Sequence, residues 1–142
     1  MNIYFACSIT GGRDFESVYQ AIVNALTEDN HMVPTAHLAE SGVMALEAVI
    51  DPLEVYARDV TWIRDCDVLI AEVSMPSHGV GYEIGFSLGL GKPVLALYKE
   101  GRKVSKMISG NPDSNLMVAS YQSPEDAIDK IRKFLSEHEF GL

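Results

Sequence analysis

Short apolar runs closed by glycine, proline and hydroxyl residues alternate along this chain with longer stretches of helical periodicity. Asn2 to Cys7 (N-I-Y-F-A-C), His31 to Ala36, Val68 to Val73, Pro93 to Tyr98 and Leu116 to Ser120 have the length and β-rich apolar character of strands. Helices are expected over Phe15 to Glu28, over Pro52 to about Cys66, after the Ser74 to Gly79 loop, and from Ser123-Pro124-Glu125 to about Glu137. Asp51 as N-cap and Pro52 at the first helical position, where a missing N–H is harmless, mark the start of the second. Leu38 to Ile50 is mildly helical. The polar connection after Tyr98 is long enough to suggest an interaction role, with one turn of helix around Val104 to Ile108.

Five strands alternating with helices predict an α/β domain on a parallel, doubly wound sheet, flavodoxin-like, in the order 2-1-3-4-5. Such sheets take ligands at the carboxyl ends of the strands, here at the switch point between the first and third. The loops Ser8 to Asp14 (S-I-T-G-G-R-D) and Ser74 to Gly79 would face each other there. The first offers hydroxyls, glycines and an arginine ahead of a helix N-terminus, a composition suited to cradling phosphate but equally that of a plain turn. It has neither Walker A nor G-x-G-x-x-G spacing. The second leads into a helix carrying Glu83 one turn inside. A carboxylate there either complements the helix dipole and caps free N–H groups or projects into the crevice. Gly79, Gly81, Gly85 and Gly89 argue for the crevice. Each costs up to about 1 kcal/mol within a helix, and close approach by a ligand or another helix would explain them. Asp59 lies between Tyr56 and Ile63 at spacings of three and four, so it shares its helix's apolar stripe. It is either paired to an arginine or functional.

The 142 residues form one expected domain, residues 1–142, with an ordinary 47% apolar and 22% charged content. No run approaches the roughly 20 apolar residues of a membrane span, and no basic region precedes an apolar stretch at the start. The expected location is the cytoplasm, without a membrane partner. Net charge is −9, from 20 acidic against 11 basic residues, which opposes a nucleic-acid polymer as partner and leaves room for a small anion held by local donors. The two cysteines, Cys7 and Cys66, lie at the ends of predicted elements without Cys-x-x-Cys or Cys/His spacing. They read as buried small hydrophobes, with no zinc site and no disulfide framework.

Three stretches, Y-F-A-C-S-I-T-G-G-R, then R-D-V-T-W-I-R-D-C-D-V-L-I-A-E-V-S-M-P-S-H-G-V-G-Y-E-I-G, then K-V-S-K-M-I-S-G, together resemble the 2′-deoxynucleoside 5′-phosphate N-hydrolase family, relatives of the nucleoside 2-deoxyribosyltransferases. The resemblance covers nearly the whole chain. It implies cleavage of the N-glycosidic bond of a 2′-deoxynucleoside 5′-monophosphate without metal or organic cofactor. Glu83 matches the catalytic glutamate that attacks C1′ and forms a glycosyl-enzyme. Asp59 matches the aspartate near the leaving base, and Tyr4 the tyrosine that holds the nucleophile. Ser8, Ile9, Gly11, Gly12 and Arg13 match the substrate loop, with Cys7 at its start counted among the binding positions, and Ser77 and Gly79 lie on the phosphate side. Ser105 and Met107 match a segment that the neighbouring subunit of a homodimer contributes to the site.

Elementary chemistry agrees with these roles. The reaction passes through an oxocarbenium-like state, which a carboxylate at the anomeric carbon stabilises and traps. A second group must protonate or hydrogen-bond the departing base, and Asp59 needs a raised pKa to do so as an acid. Ser77 stands six positions before Glu83, where the transferases typically carry Asp for a free 5′-hydroxyl; a carboxylate there would repel a phosphate, so Ser favours nucleotides over nucleosides. Thr10 departs from vertebrate members, which carry Arg, and this removes one phosphate cation. His37 either lines the base pocket or is an ordinary loop histidine, and Trp62 and Met75 read as packing residues. The competing readings are a nucleoside 2-deoxyribosyltransferase and a non-catalytic nucleotide-binding sensor module.

Overall fold

Both faces of the central sheet are covered, and its strands are accordingly apolar at nearly every position. The computed structural model describes residues 1–9 and 14–139. Its strands are β1 (Ile3–Ala6), β2 (Val68–Glu72), β3 (Val94–Lys99) and β4 (Leu116–Tyr121), all parallel and paired in that order. Six helices connect and follow them among the described residues: α1 (Glu16–Glu28), α2 (Val43–Ala48), α3 (Pro52–Asp65), α4 (His78–Gly89), α5 (Lys106–Ser109) and α6 (Pro124–His138).

The expected five-stranded sheet is four-stranded, because His31 to Ala36 does not form a strand. Met32 makes a single parallel bridge to Asn2, with Ile3 N donating to Met32 O at 2.8 Å. Pro34 brings no N–H to continue the ladder. A side chain takes over instead: the buried Thr35 Oγ1 accepts from Phe5 N at 3.0 Å and donates to Phe5 O at 2.8 Å. The chain then enters a 3-10 turn, Ala36–Ala39, and after Gly42 (φ +81°) the short α2.

One face of the sheet packs Ile3, Phe5, Ile70 and Leu97 against Tyr19, Ile22 and Leu26 of α1 and Ile131 and Phe134 of α6. The other packs Tyr4, Leu69, Ala71 and Ala96 against Ile63 of α3 and Val80, Ile84 and Leu88 of α4, which recur at spacings of four. α3 starts as its sequence predicts, with Asp51 accepting from Leu53 N at 2.8 Å and Pro52 in the first turn.

At the carboxyl end of the sheet, the buried Glu72 closes β2. It accepts from Ser74 N at 2.7 Å, from Ser74 Oγ at 2.8 Å and from the Tyr121 hydroxyl of β4. Ser74 Oγ in turn accepts from Lys99 N at 2.8 Å, so one carboxylate gathers the ends of β2, β3 and β4. Burial holds the Glu72 carboxyl above its ordinary range against these donors.

Replacing Thr35 by Val keeps the shape and removes both bonds to Phe5, leaving a buried N–H and C=O unpaired. Urea unfolding should show a loss of about 1–3 kcal/mol. A loss below about 0.5 kcal/mol would mean that the β1 edge does not depend on this side chain.

Candidate functional site

The site lies at the carboxyl end of β1 and β2, under α3 and α4. Ser77 is the N-cap of α4, its Oγ accepting from Val80 N at 3.2 Å, so the helix opens at His78 and Glu83 lies beyond the first turn. The alternative that Glu83 caps the helix is therefore excluded: Ser77 does that. Glu83 instead receives a hydrogen bond from the hydroxyl of Tyr4, a fully buried side chain in the middle of β1. Burial drives the Glu83 carboxyl up to about 8.

Beside it is a cavity of about 450 Å³ whose walls include Cys7, Ile9, Glu47, Asp59, Ser77, Gly79 and Glu83. Asp59 enters from the apolar stripe of α3 and is bonded by Arg58 Nε at 2.8 Å. Burial raises the Asp59 carboxyl above the usual range, Arg58 opposes this, and the nearby Glu47 pushes the same way as burial. Asp59 is thus both paired to an arginine and set in the cavity, so the two alternatives its position offered are not exclusive. Arg58 also reaches Glu47 Oε1 at 3.0 Å, packs over Trp62 at 4.9 Å, and shares that carboxylate oxygen with His37 Nε2, also at 3.0 Å. Trp62 is a packing platform for this network, as expected of it, and His37 reaches the cavity wall through Glu47.

The remaining expected positions divide into three groups. Cys7 is buried, its Sγ donating to Leu38 O at 3.8 Å, and forms part of the wall; Ser8 is fully buried just after β1. Gly11, Gly12 and Arg13, with Thr10, lie outside the described residues. Ser105 and Met107 stand apart from Glu83. They line a second cavity of about 590 Å³ with Met75, His78 and Lys103, which touches the first through Ser77, Val80 and Tyr82. The helix glycines do not follow the expectation of close approach within the chain: a Cβ at Gly81, Gly85 or Gly89 would meet nothing within 4 Å, and one at Gly79 only Ser77 Oγ at 3.9 Å.

Glu47 was not singled out by its sequence context, a mildly helical stretch with no motif; only the fold brings α2 beside α3. Tyr56 and Tyr82 were likewise unmarked. Their hydroxyls meet at 3.1 Å and both residues line the cavity that Glu83 adjoins.

A buried tyrosine holding a carboxylate at a cavity, with a second carboxylate on the facing helix stripe, is an arrangement that can serve nucleophilic and acid chemistry at the end of a parallel sheet. Residues 3–128 match the family model described as nucleoside 2-deoxyribosyltransferase, and the chain belongs to that family. It is 38% identical over 137 residues to a candidate 2′-deoxynucleoside 5′-phosphate N-hydrolase of Thermofilum pendens, covering 95% of each chain. It is 39% identical over 129 residues to the 5-hydroxymethyl-dUMP N-hydrolase of Mus musculus, covering 87% of this chain and 74% of that one. In fold it is similar to the CMP N-glycosidase of Clostridium botulinum, with a TM-score of 0.72 at 21% identity over 93% of this chain and 98% of that one. Among the described residues no helix is long and apolar enough to cross a membrane.

The raised pKa of Glu83 makes a prediction about stability. The folded state holds this proton up to about pH 8, whereas the unfolded chain releases it near the ordinary glutamate value of 4.5. This contribution to stability is full below pH 4.5 and is lost as pH rises through 8. Glu83→Gln should therefore match wild type in urea unfolding at pH 5 and exceed it at pH 9, by about 2 kcal/mol once partial exposure is discounted. Parallel curves for the two proteins would overturn the assignment of a buried, protonated Glu83.

Proposed function

We propose that this protein hydrolyses the N-glycosidic bond of 2′-deoxynucleoside 5′-monophosphates, releasing the base and deoxyribose 5-phosphate. The observation that carries the reading is the Tyr4–Glu83 pair facing a cavity that also contains Asp59. Relatives named as N-hydrolases of such nucleotides support it.

In this reading Glu83 attacks C1′ as the C1′–N bond breaks, and the bonding electrons leave with the base. Ionised Glu83 is required for attack, and the Tyr4 phenol orients it without adding charge. Asp59, its carboxyl raised by burial, gives a proton or a hydrogen bond to the departing base. Water then displaces the sugar from Glu83 and regenerates the carboxylate. Ser77 and Gly79 receive the 5′-phosphate at the start of α4, where backbone N–H groups and the helix dipole favour an anion. Ser8, Ile9, Gly11, Gly12 and Arg13 complete the substrate loop, with Cys7 in the wall behind it and His37 behind the base.

The dimer belongs to the same proposal. Ser105 and Met107 serve the site of a neighbouring subunit, a role consistent with Met107 being 84% exposed in the single chain. A cytoplasmic location fits a nucleotide substrate. Ser77 in place of Asp favours the hydrolase over base transfer to a second nucleobase, since a carboxylate at that point would oppose the phosphate.

Chromatography of bases released from deoxy- and ribonucleoside monophosphates and the parent nucleosides tests the reading. Release from deoxynucleoside monophosphates, lost by about 10³-fold or more in Glu83→Ala, is expected. Exchange only on nucleosides with an added base would make the protein a transferase, and tight binding without turnover a sensor. Because Glu83 must ionise, kcat/KM should climb between pH 6 and about 8; a rate that falls over this range would reject Glu83 as the nucleophile. Ser105→Ala should raise KM for nucleotides more than for nucleosides, and equal effects would remove Ser105 from the phosphate site.

A further inference from the structure

Glu72 is a buried carboxylate that the proposed chemistry does not use. It ends the otherwise apolar strand β2 and is 1% exposed. A charge so placed needs donors, and an apolar side chain of similar size would serve stability as well or better. The direction of its bonds gives it another use.

Two of those bonds go forward along the chain to one residue. Ser74 N donates to Oε1 at 2.7 Å and Ser74 Oγ to Oε2 at 2.8 Å, while Lys99 N donates to the same hydroxyl at 2.8 Å from β3. Ser74, itself 2% exposed, is thus fixed in place and in rotation. Only Met75 and Pro76 separate it from Ser77. The proline ring fixes its own φ and keeps Met75 out of the helical region, so this connection has few free torsions. Ser77 continues it in extended conformation, φ −151° and ψ 123°, and caps α4 by accepting from Val80 N, which leaves its proton for a phosphate oxygen.

Glu83 is held by other means. Tyr4 bonds its carboxyl, and Ile84 and Leu88 seat its part of the helix on the sheet. The two ends of the site are therefore attached separately. We propose that Glu72 is a positioning residue for the phosphate: through Ser74 and the Met75–Pro76 connection it aims Ser77 Oγ and the first backbone N–H groups of α4, Gly79 among them, at the 5′-phosphate. It takes no part in bond breaking at Glu83. This role rests on the placement of the phosphate in the hydrolase reading above.

The test is two measurements on the same preparations: calorimetric titration with deoxyribose 5-phosphate, and steady-state release of base from a deoxynucleoside monophosphate. Glu72→Gln replaces one accepting oxygen by an NH₂ that faces the donors of Ser74 or Tyr121. It should weaken binding of the sugar phosphate by about 10-fold or more and raise KM in proportion, with kcat within about 3-fold of wild type. Ser74→Ala, which removes the hydroxyl between Glu72 and Lys99 N, should do the same and stands in should Glu72→Gln not fold. Tyr121→Phe cuts the bond of the same carboxylate to β4 without touching Ser74; it should lower stability in urea and leave the sugar-phosphate affinity within about 3-fold. A merely structural Glu72 would lower stability and the active fraction while leaving the dissociation constant and KM unchanged. That result, a fall in kcat alone, or equal weakening by Tyr121→Phe overturns the role. Binding that weakens as expected in a protein releasing no base keeps the role of Glu72 and overturns the hydrolase reading. Wild type that does not bind deoxyribose 5-phosphate overturns the phosphate placement and this role together.

Discussion

A carboxylate kept beside a cavity but largely out of water, held by the phenol of Tyr4, is the constraint to which the rest of this structure answers. Burial favours the neutral acid and lifts the Glu83 carboxyl to about 8, while the hydrogen bond donated by the phenol is one that an anion accepts best. For that contact to exist, the middle of β1 must pass beneath the second turn of α4. This requires β1 and β2 to be neighbours, as they are, and α4 to be seated on the sheet by Val80, Ile84 and Leu88. The packing of that face is the means by which strand order becomes proton chemistry.

The same site separates two carboxylates by their surroundings. Among the described residues Glu83 has a neutral donor and no cation, whereas Asp59 is tied to Arg58 and shares a neighbourhood with Glu47 and His37. Both are raised by burial, but among the described residues Asp59 keeps a charge partner that Glu83 lacks. Two carboxyl groups with distinct electrical settings follow from one cavity, through the residues that stand next to each group.

The strands at Val68, Pro93 and Leu116, the Asp51-Pro52 start of α3 and the stripe position of Asp59 were legible because each is a local pattern: an apolar run, a cap, a helical spacing. His31 to Ala36 was misread for a reason equally local. Pro34 interrupts the ladder, while the bonds that compensate come from the hydroxyl of Thr35, and a side chain standing in for a strand leaves no periodic trace. Glu83 was legible from the loop before it, although its partner Tyr4 was not visible by spacing and entered only through family resemblance, since 79 residues separate them. Glu47 escaped notice for the same kind of reason. Its surroundings are assembled from α2, α3 and the turn at His37, and nothing in its own neighbourhood of the chain distinguishes it from a solvated glutamate.

The gathering of three strand ends by Glu72 divides the site into unequal halves. The loop that leads to Ser77 departs from a point fixed by Ser74, Lys99 and Tyr121, so the wall built by α4 has little freedom to drift. The wall built by α2 is held differently: six residues without a side-chain cap, tied to α3 through the Glu47 carboxylate that Arg58 and His37 share. A change to that tie acts on the α2 side of the cavity, whereas the α4 side that carries Glu83 and Ser77 keeps its own attachment to the strand ends.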